Sequence, residues 1–261
     1  MSATARRAGL VMAVSLALSI IPTTVSAEHS WGDYHWSRVS NPFTVKLGDA
    51  VAAAWSTYLA RASNDWSESI VLKTTVIDSS VSPRKCSPTS GQVNVCSERY
   101  GFNGWLGVAR IWVSSSHIYQ GTVKLNDSYF GPSTSPYNTP RWRSLVMCQE
   151  IGHEFGLDHQ DEDFYNDPLG TCMDYSAEPG PADESPNAHD YDQLEDIYRH
   201  LDASSTSPTR PKGQKGGGSG RDQSQWGRRV AVAHGGRTSV HVLALGRDHR
   251  IITFVTWAVS R

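Results

Sequence analysis

Between Arg143 and Gln160 the chain reads "RSLVMCQEIGHEFGLDHQ", and no other stretch limits the fold so tightly. Met147, Ile151 and Phe155 recur at i, i+4 and i+8, the spacing of one helix face. Gln149 and His153 are also four apart and point together to roughly the opposite side. An apolar back and a polar front place this helix between a core and a cleft. Gly156 stands where a left-handed C-terminal turn needs a residue without Cβ. Such a turn folds His159 back toward His153. Pro140 suits the helix's first turn.

The rest of the chain supplies partners for that helix. "AVAAAWSTYLARASNDW", with Asp49 as N-cap, carries Val51, Ala52, Trp55, Tyr58, Leu59 and Ala62 at helical spacing. "SIVLKTTVI", "WLGVARIWV" and "HIYQGTVKL" read as strands, and "WGDYHWSRVSNPFTVKL" has room for a short one. "NAHDYDQLEDIYRHLD" reads as a last helix with Tyr191, Leu194, Ile197, Tyr198 and Leu201 on its apolar face. Composition then changes: residues 203–225 form a Ser/Gly/Pro/Lys-rich linker. Residues 226–261 read as three short strands with turns at Gly235-Gly236 and near Gly246. So small a β-rich unit is marginal alone, and is expected to dock on the main domain or on a partner.

Residues 1–27 have the layout of a signal peptide: Arg6-Arg7, a short apolar run, and Val25 and Ala27 in small-residue cleavage positions. The implied location is secreted, extracellular, with no membrane span after signal removal. Export favours oxidised cysteines. Four cysteines allow three pairings; Cys86 with Cys96 and Cys148 with Cys172 are expected, free buried thiols being the alternative. Charge is divided along the chain. Residues 28–202 hold 12 Lys+Arg against 24 Asp+Glu, a net of −12, while residues 203–261 hold 10 against 2, a net of +8. The basic tail suits contact with an anionic surface, or with the acidic main domain. No nucleic-acid partner is expected.

On the polar front, Gln149, His153 and His159 offer three donors from one helix and its turn, with a fourth position left for water. That is the layout of a catalytic zinc site. "QEIGHEFGLDH" resembles the metzincin signature, His-Glu-x-x-His-x-x-Gly-x-x-His followed by a methionine-containing turn. Met173 in "TCMDY" matches that turn, 14 residues beyond His159, and Tyr175 resembles the tyrosine that astacins and serralysins place near their zinc. "HDYDQLEDIY" is similar to the closing helix of matrixin-type domains. The resemblance implies an α+β, metzincin-like zincin catalytic domain over residues 28–202: mixed twisted sheet, active-site helix, Met-turn and C-terminal helix. The tail, a small C-terminal β-meander, lies outside it. The implied activity is that of a zinc metalloendopeptidase, a hydrolase acting on proteins or peptides. Gln149, His153 and His159 would hold Zn²⁺, Glu150 would be the general base, and Tyr175 would donate to the oxyanion. Met173 would form the floor. Substrate would lie extended along "HIYQGTVKL" as the edge strand.

Gln149 departs from the signature, in which histidine stands at this place. A neutral carboxamide oxygen is a weaker zinc donor than imidazole. Two readings follow: a working site with a Gln/His/His donor set, or a catalytically inactive secreted binding protein on the same scaffold. Cys148 would be a better ligand as a thiolate, but lies about 100° round the helix from Gln149. Asp161, Glu162, Asp163, Asn166 and Asp167 form an acidic loop, read as solvated, with calcium as the alternative. The remaining histidines, His29, His35, His117, His189, His200, His234, His241 and His249, suggest no second ligand cluster. A folded pro-domain is not expected ahead of the first elements, so latency would fall to another device, such as the tail lying over the cleft.

Overall fold

The computed structural model describes residues 28–161, 163, 166–174, 176, 178–205, 223–232 and 237–258. The expected signal peptide, most of the linker, and Tyr175, Glu162 and His234 lie outside them. The architecture is α+β. Strands β1 (His35–Trp36), β2 (Phe43–Ala50), β3 (Leu72–Asp78), β4 (Gln92–Glu98), β5 (Trp105–Ser114), β6 (His117–Asn126), β7 (Arg228–Val232), β8 (Thr238–Ala244) and β9 (His249–Trp257) join one mixed sheet. Its order is β3-β2-β4-β6-β5-β9-β8-β7, with β1 paired to the start of β6. The β3-β2-β4-β6 half is parallel, and every pairing from β6 through β5 to β7 is antiparallel.

Helices α1 (Ala53–Trp66), α2 (Asp127–Phe130), α3 (Pro140–His153) and α4 (Ala188–Ile197) complete the fold. No helix among the described residues is long and apolar enough to cross a membrane. The helix of the opening stretch is α3. Thr139 caps it by accepting from Trp142 N at 3.3 Å, and Pro140 fills its first turn. The carbonyls beyond its C-terminus find donors from other segments. Glu154 O accepts from Trp36 Nε1 at 2.8 Å, Phe155 O from Tyr198 Oη at 3.0 Å, and Gly156 O from Trp31 N at 2.9 Å. Disulfides join Cys86 to Cys96 and Cys148 to Cys172, the second tying α3 to the turn that carries Met173.

Four sequence expectations are corrected. "QVNVC", read as part of a disulfide loop, is the interior strand β4; Val93, Val95 and Cys96 are fully buried, and Asn94 is fully bonded by its side chain. Asp49 is not the cap of α1: it lies within β2, one residue before its end, and accepts from Val51 N at 3.0 Å, while Ala52 takes the cap position. Leu201, assigned to the apolar face of the last helix, lies beyond α4 and is exposed. Strand β6 is not an edge, since β4 and β5 flank it. Of the strands that precede residue 203, β3 and β5 lie outermost, and β9 runs antiparallel along β5 from Trp105 to Ser114. The tail is a meander, but it extends the main sheet.

Gly156 has φ +93, and a Cβ there would overlap the Tyr34 carbonyl. Backbone strain and a clash with main chain act together, so Gly156→Ala is expected to cost at least about 2 kcal/mol. Urea unfolding of purified variant and parent checks this; equal midpoints would contradict it.

Candidate functional site

The side chains singled out from α3 and its turn do come together, but not around an open cleft. Gln149, Glu150, His153 and His159 are all buried, the most accessible being His159 at 7%. Gly156 turns the chain as its position suggests, and the rings of His153 and His159 meet edge to face with centroids 4.7 Å apart. His153 Nδ1 donates to the Leu157 carbonyl at 2.9 Å, which leaves Nε2 with its lone pair. Met173 is fully buried, its sulfur packed against Gly152 of α3.

What fills the polar front is β9. Phe254 lies flat on His153, with centroids 4.3 Å apart and planes within 4°. The Thr256 hydroxyl lies 2.6 Å from Glu150 Oε1 and 3.0 Å from Gln149 Oε1. A hydroxyl carries one proton, so it cannot donate to both oxygens. Gln149 Oε1 has no proton to offer, because its Nε2 is identified by donation to the carbonyls of Cys172 at 3.0 Å and Asp174 at 3.1 Å. The two oxygens therefore share one hydroxyl donor, with the shorter contact to Glu150. Burial pushes the Glu150 carboxyl up to about 8, against the pull of the Thr256 hydroxyl and the Ala109 main chain. Burial likewise pushes His153 down to about 4 and His159 well below its ordinary value, so both rings are neutral.

Room for the acid comes from the sheet. A Cβ at Gly107 of β5 would overlap the Glu150 carboxyl, and Gly107 is the register partner of Thr256. A second buried acid went unnoticed in the sequence. Glu154, one turn on from Glu150, sits over Gly121 of β6 and accepts from Arg110 N at 3.2 Å. Burial raises its carboxyl well above the usual range. The available signal was an acid at i+4 together with a glycine in each of two neighbouring strands.

Elsewhere, Asp161 spends both carboxylate oxygens on Asp163 N and the Asn166 side chain, and nothing in the described part of the acidic loop supports calcium. The expectation of no second histidine cluster is overturned. His35, His117 and His200 converge on one oxygen of Asp202. Their wide separation in the chain hid this; only His200-x-Asp202 is local.

Glu150 keeps in the fold a proton that the unfolded chain releases near its ordinary value of 4.5. Its contribution to stability is therefore greatest at low pH, and is lost as pH rises from there through about 8. In chelator-treated protein, Glu150→Gln is expected to gain stability relative to the parent on going from pH 5 to pH 8, by on the order of a few kcal/mol. Urea midpoints of both proteins at each pH measure this. A constant difference between them would refute the neutral-acid assignment.

No family model matches the chain, and no curated protein matches it. Among solved structures the chain is similar to high choriolytic enzyme 1, a hatching-enzyme zinc protease from Oryzias latipes (medaka fish). The identity is 11%, the alignment covers 63% of this chain and 94% of that one, and the TM-score is 0.34. At that level the likeness assigns neither a family nor an activity to this chain.

Proposed function

We propose that the chain is a secreted zinc-dependent endopeptidase held closed by its own C-terminal strand. The observation that carries this reading is the position of Thr256 and Phe254, which cap Glu150, Gln149 and His153 together. The donor chemistry fits zinc once those two side chains withdraw. Gln149 is anchored through Nε2, so its Oε1 already faces the side that β9 occupies. That oxygen, His153 Nε2 and His159 are the donors that would hold the ion. Zinc bound there supplies Lewis-acid polarisation of a carbonyl and a more acidic bound water.

The chain's own residues do the rest. Without Thr256 and Phe254 above it, Glu150 is rehydrated, its carboxyl returns toward the ordinary range, and it can accept the proton of an attacking water. It then passes that proton to the departing amine. Tyr175, as a donor to the oxyanion, belongs to the same proposal. An extended peptide would pair with β5, the strand that β9 now covers. A second reading, an inactive binding protein, is favoured by one feature. The Gln149 carboxamide spends both Nε2 protons on holding the Met173 turn to α3, a structural role that needs no metal.

The test compares the full chain with the double variant Phe254→Ala/Thr256→Val and with chain nicked by trypsin at tail arginines, using a quenched fluorescent peptide library. The parent is expected to be near background, and the opened forms to gain at least about tenfold. 1,10-Phenanthroline and Glu150→Gln should each remove the gain. Opened protein that is folded, loses zinc on His153→Asn, and yet cleaves nothing would sink the peptidase reading in favour of the binding protein.

A further inference from the structure

Asp202 follows α4, at the point where the chain leaves the main domain. Its two oxygens are used differently. Oδ2 accepts from Arg38 N and from Arg38 Nη1, each at 3.1 Å. Oδ1 faces three imidazoles: His117 Nε2 at 3.1 Å, His35 Nε2 at 3.5 Å and His200 Nε2 at 3.6 Å. The His35 ring meets His117 at 4.8 Å and His200 at 4.7 Å between centroids, both edge to face.

His35 makes this more than a surface ion pair. It is buried, and its Nδ1 donates to the Asp33 carbonyl at 2.7 Å, which fixes the ring and leaves Nε2 as the nitrogen aimed at Asp202. Nε2 is itself buried and has no hydrogen-bond partner. As the neutral tautomer, His35 therefore points a lone pair at a carboxylate oxygen, two acceptors facing each other across 3.5 Å. A cation between them removes that repulsion. The spacing agrees. Zinc bonds of 2.0–2.1 Å in a tetrahedron place ligand atoms about 3.3 Å apart. The distances of His35 and His200 to Asp202, 3.5 and 3.6 Å, are both slightly longer than that edge and exceed ordinary hydrogen-bond length. One ligand atom from each of His35, His200 and Asp202 falls within a 4.8 Å group. The Nδ1 bond of His35 to a main-chain carbonyl is also the outer-shell contact that orients metal-ligating histidines.

We propose that His35, His200 and Asp202 form a second, structural site for a divalent transition metal of the zinc class, with His117 donating to Asp202 as an outer contact. The site is reachable. His117 and His200 are partly exposed, and a cavity of about 610 Å³ opens against His35 and His200, with Glu28, Asp33 and Asp196 on its walls. Those acids favour approach by a cation. Bound there, the metal fastens β1 to the exit from α4, while His117 at the start of β6 holds Asp202 by its own hydrogen bond. It leaves α3 untouched, so the proposal stands or falls independently of the hydrolase reading.

Untagged full-length secreted chain, stripped with chelator, would be titrated with Zn²⁺ and with Co²⁺. The parent is expected to take up one equivalent that His200→Ala weakens by at least about tenfold. The visible bands of four-coordinate Co²⁺ should be lost in that variant, and zinc should raise the parent's Tm but not the variant's. His200 is exposed, so its replacement does not endanger folding; Asp202→Asn serves as a second variant. His153→Asn should leave this equivalent in place, separating it from any ion at α3. No uptake by the parent, or the same uptake in His200→Ala, would overturn the proposal and leave a cluster that holds protons alone.

Discussion

The pairing of β9 with β5 decides the chemical state of the α3 site, because it brings Thr256 between two oxygens and Phe254 over an imidazole. While that pairing lasts, Glu150 is buried against the Thr256 hydroxyl, and Gln149 spends its oxygen on the same hydroxyl. The pairing is not a loose cover. Ile251, Ile252, Phe254 and Val255 are all essentially buried, and exposing four such side chains costs roughly 6–12 kcal/mol. That is comparable with the whole stability of an ordinary domain. Thermal fluctuation therefore leaves the site closed. On the proposed latent-enzyme reading, opening would need a covalent cut, a competing strand, or a partner that binds the released tail.

Two acids beneath a sheet are costly unless they stay neutral or paired. Glycines at 107 and 121 give Glu150 and Glu154 the space, and burial raises both carboxyls above their usual range. Arg110, buried with its guanidinium over Trp112, is the nearest compensating charge for Glu154. The sheet face above α3 is thus a polar interior assembled from glycine, two carboxyls and a threonine, enclosed by aromatic and aliphatic side chains.

Much of this was legible beforehand. The 3.6 period located α3, Gly156 marked its turn, and strand chemistry found β3, β5, β6 and the three tail strands. What escaped depended on distant contacts. β4 was hidden because "QVNVC" is short and ends in a bonded cysteine, so local pattern favoured a loop. The interior position of β6 follows from the whole sheet order, which no local period encodes. His35, His117 and His200 lie on three separate segments, and only the return of the chain after α4 brings them to Asp202. The tail over the cleft entered only as an example of a latency device, because amphipathicity reads one helix at a time. It cannot report that a strand a hundred residues later lies across the polar face.

By joining the sheet, the tail also moves its boundary. The free edge on that side is now β7, where Arg228 and Arg229 are exposed. Charged side chains on an edge discourage another strand from adding to it. Without β9, the edge would be β5, nine of whose ten residues are buried in the finished fold. The basic character of the tail thus acquires a second meaning, as protection against self-association. The hazardous interval in the life of this chain is the time between synthesis of β5 and arrival of β9, when an apolar strand waits without its neighbour.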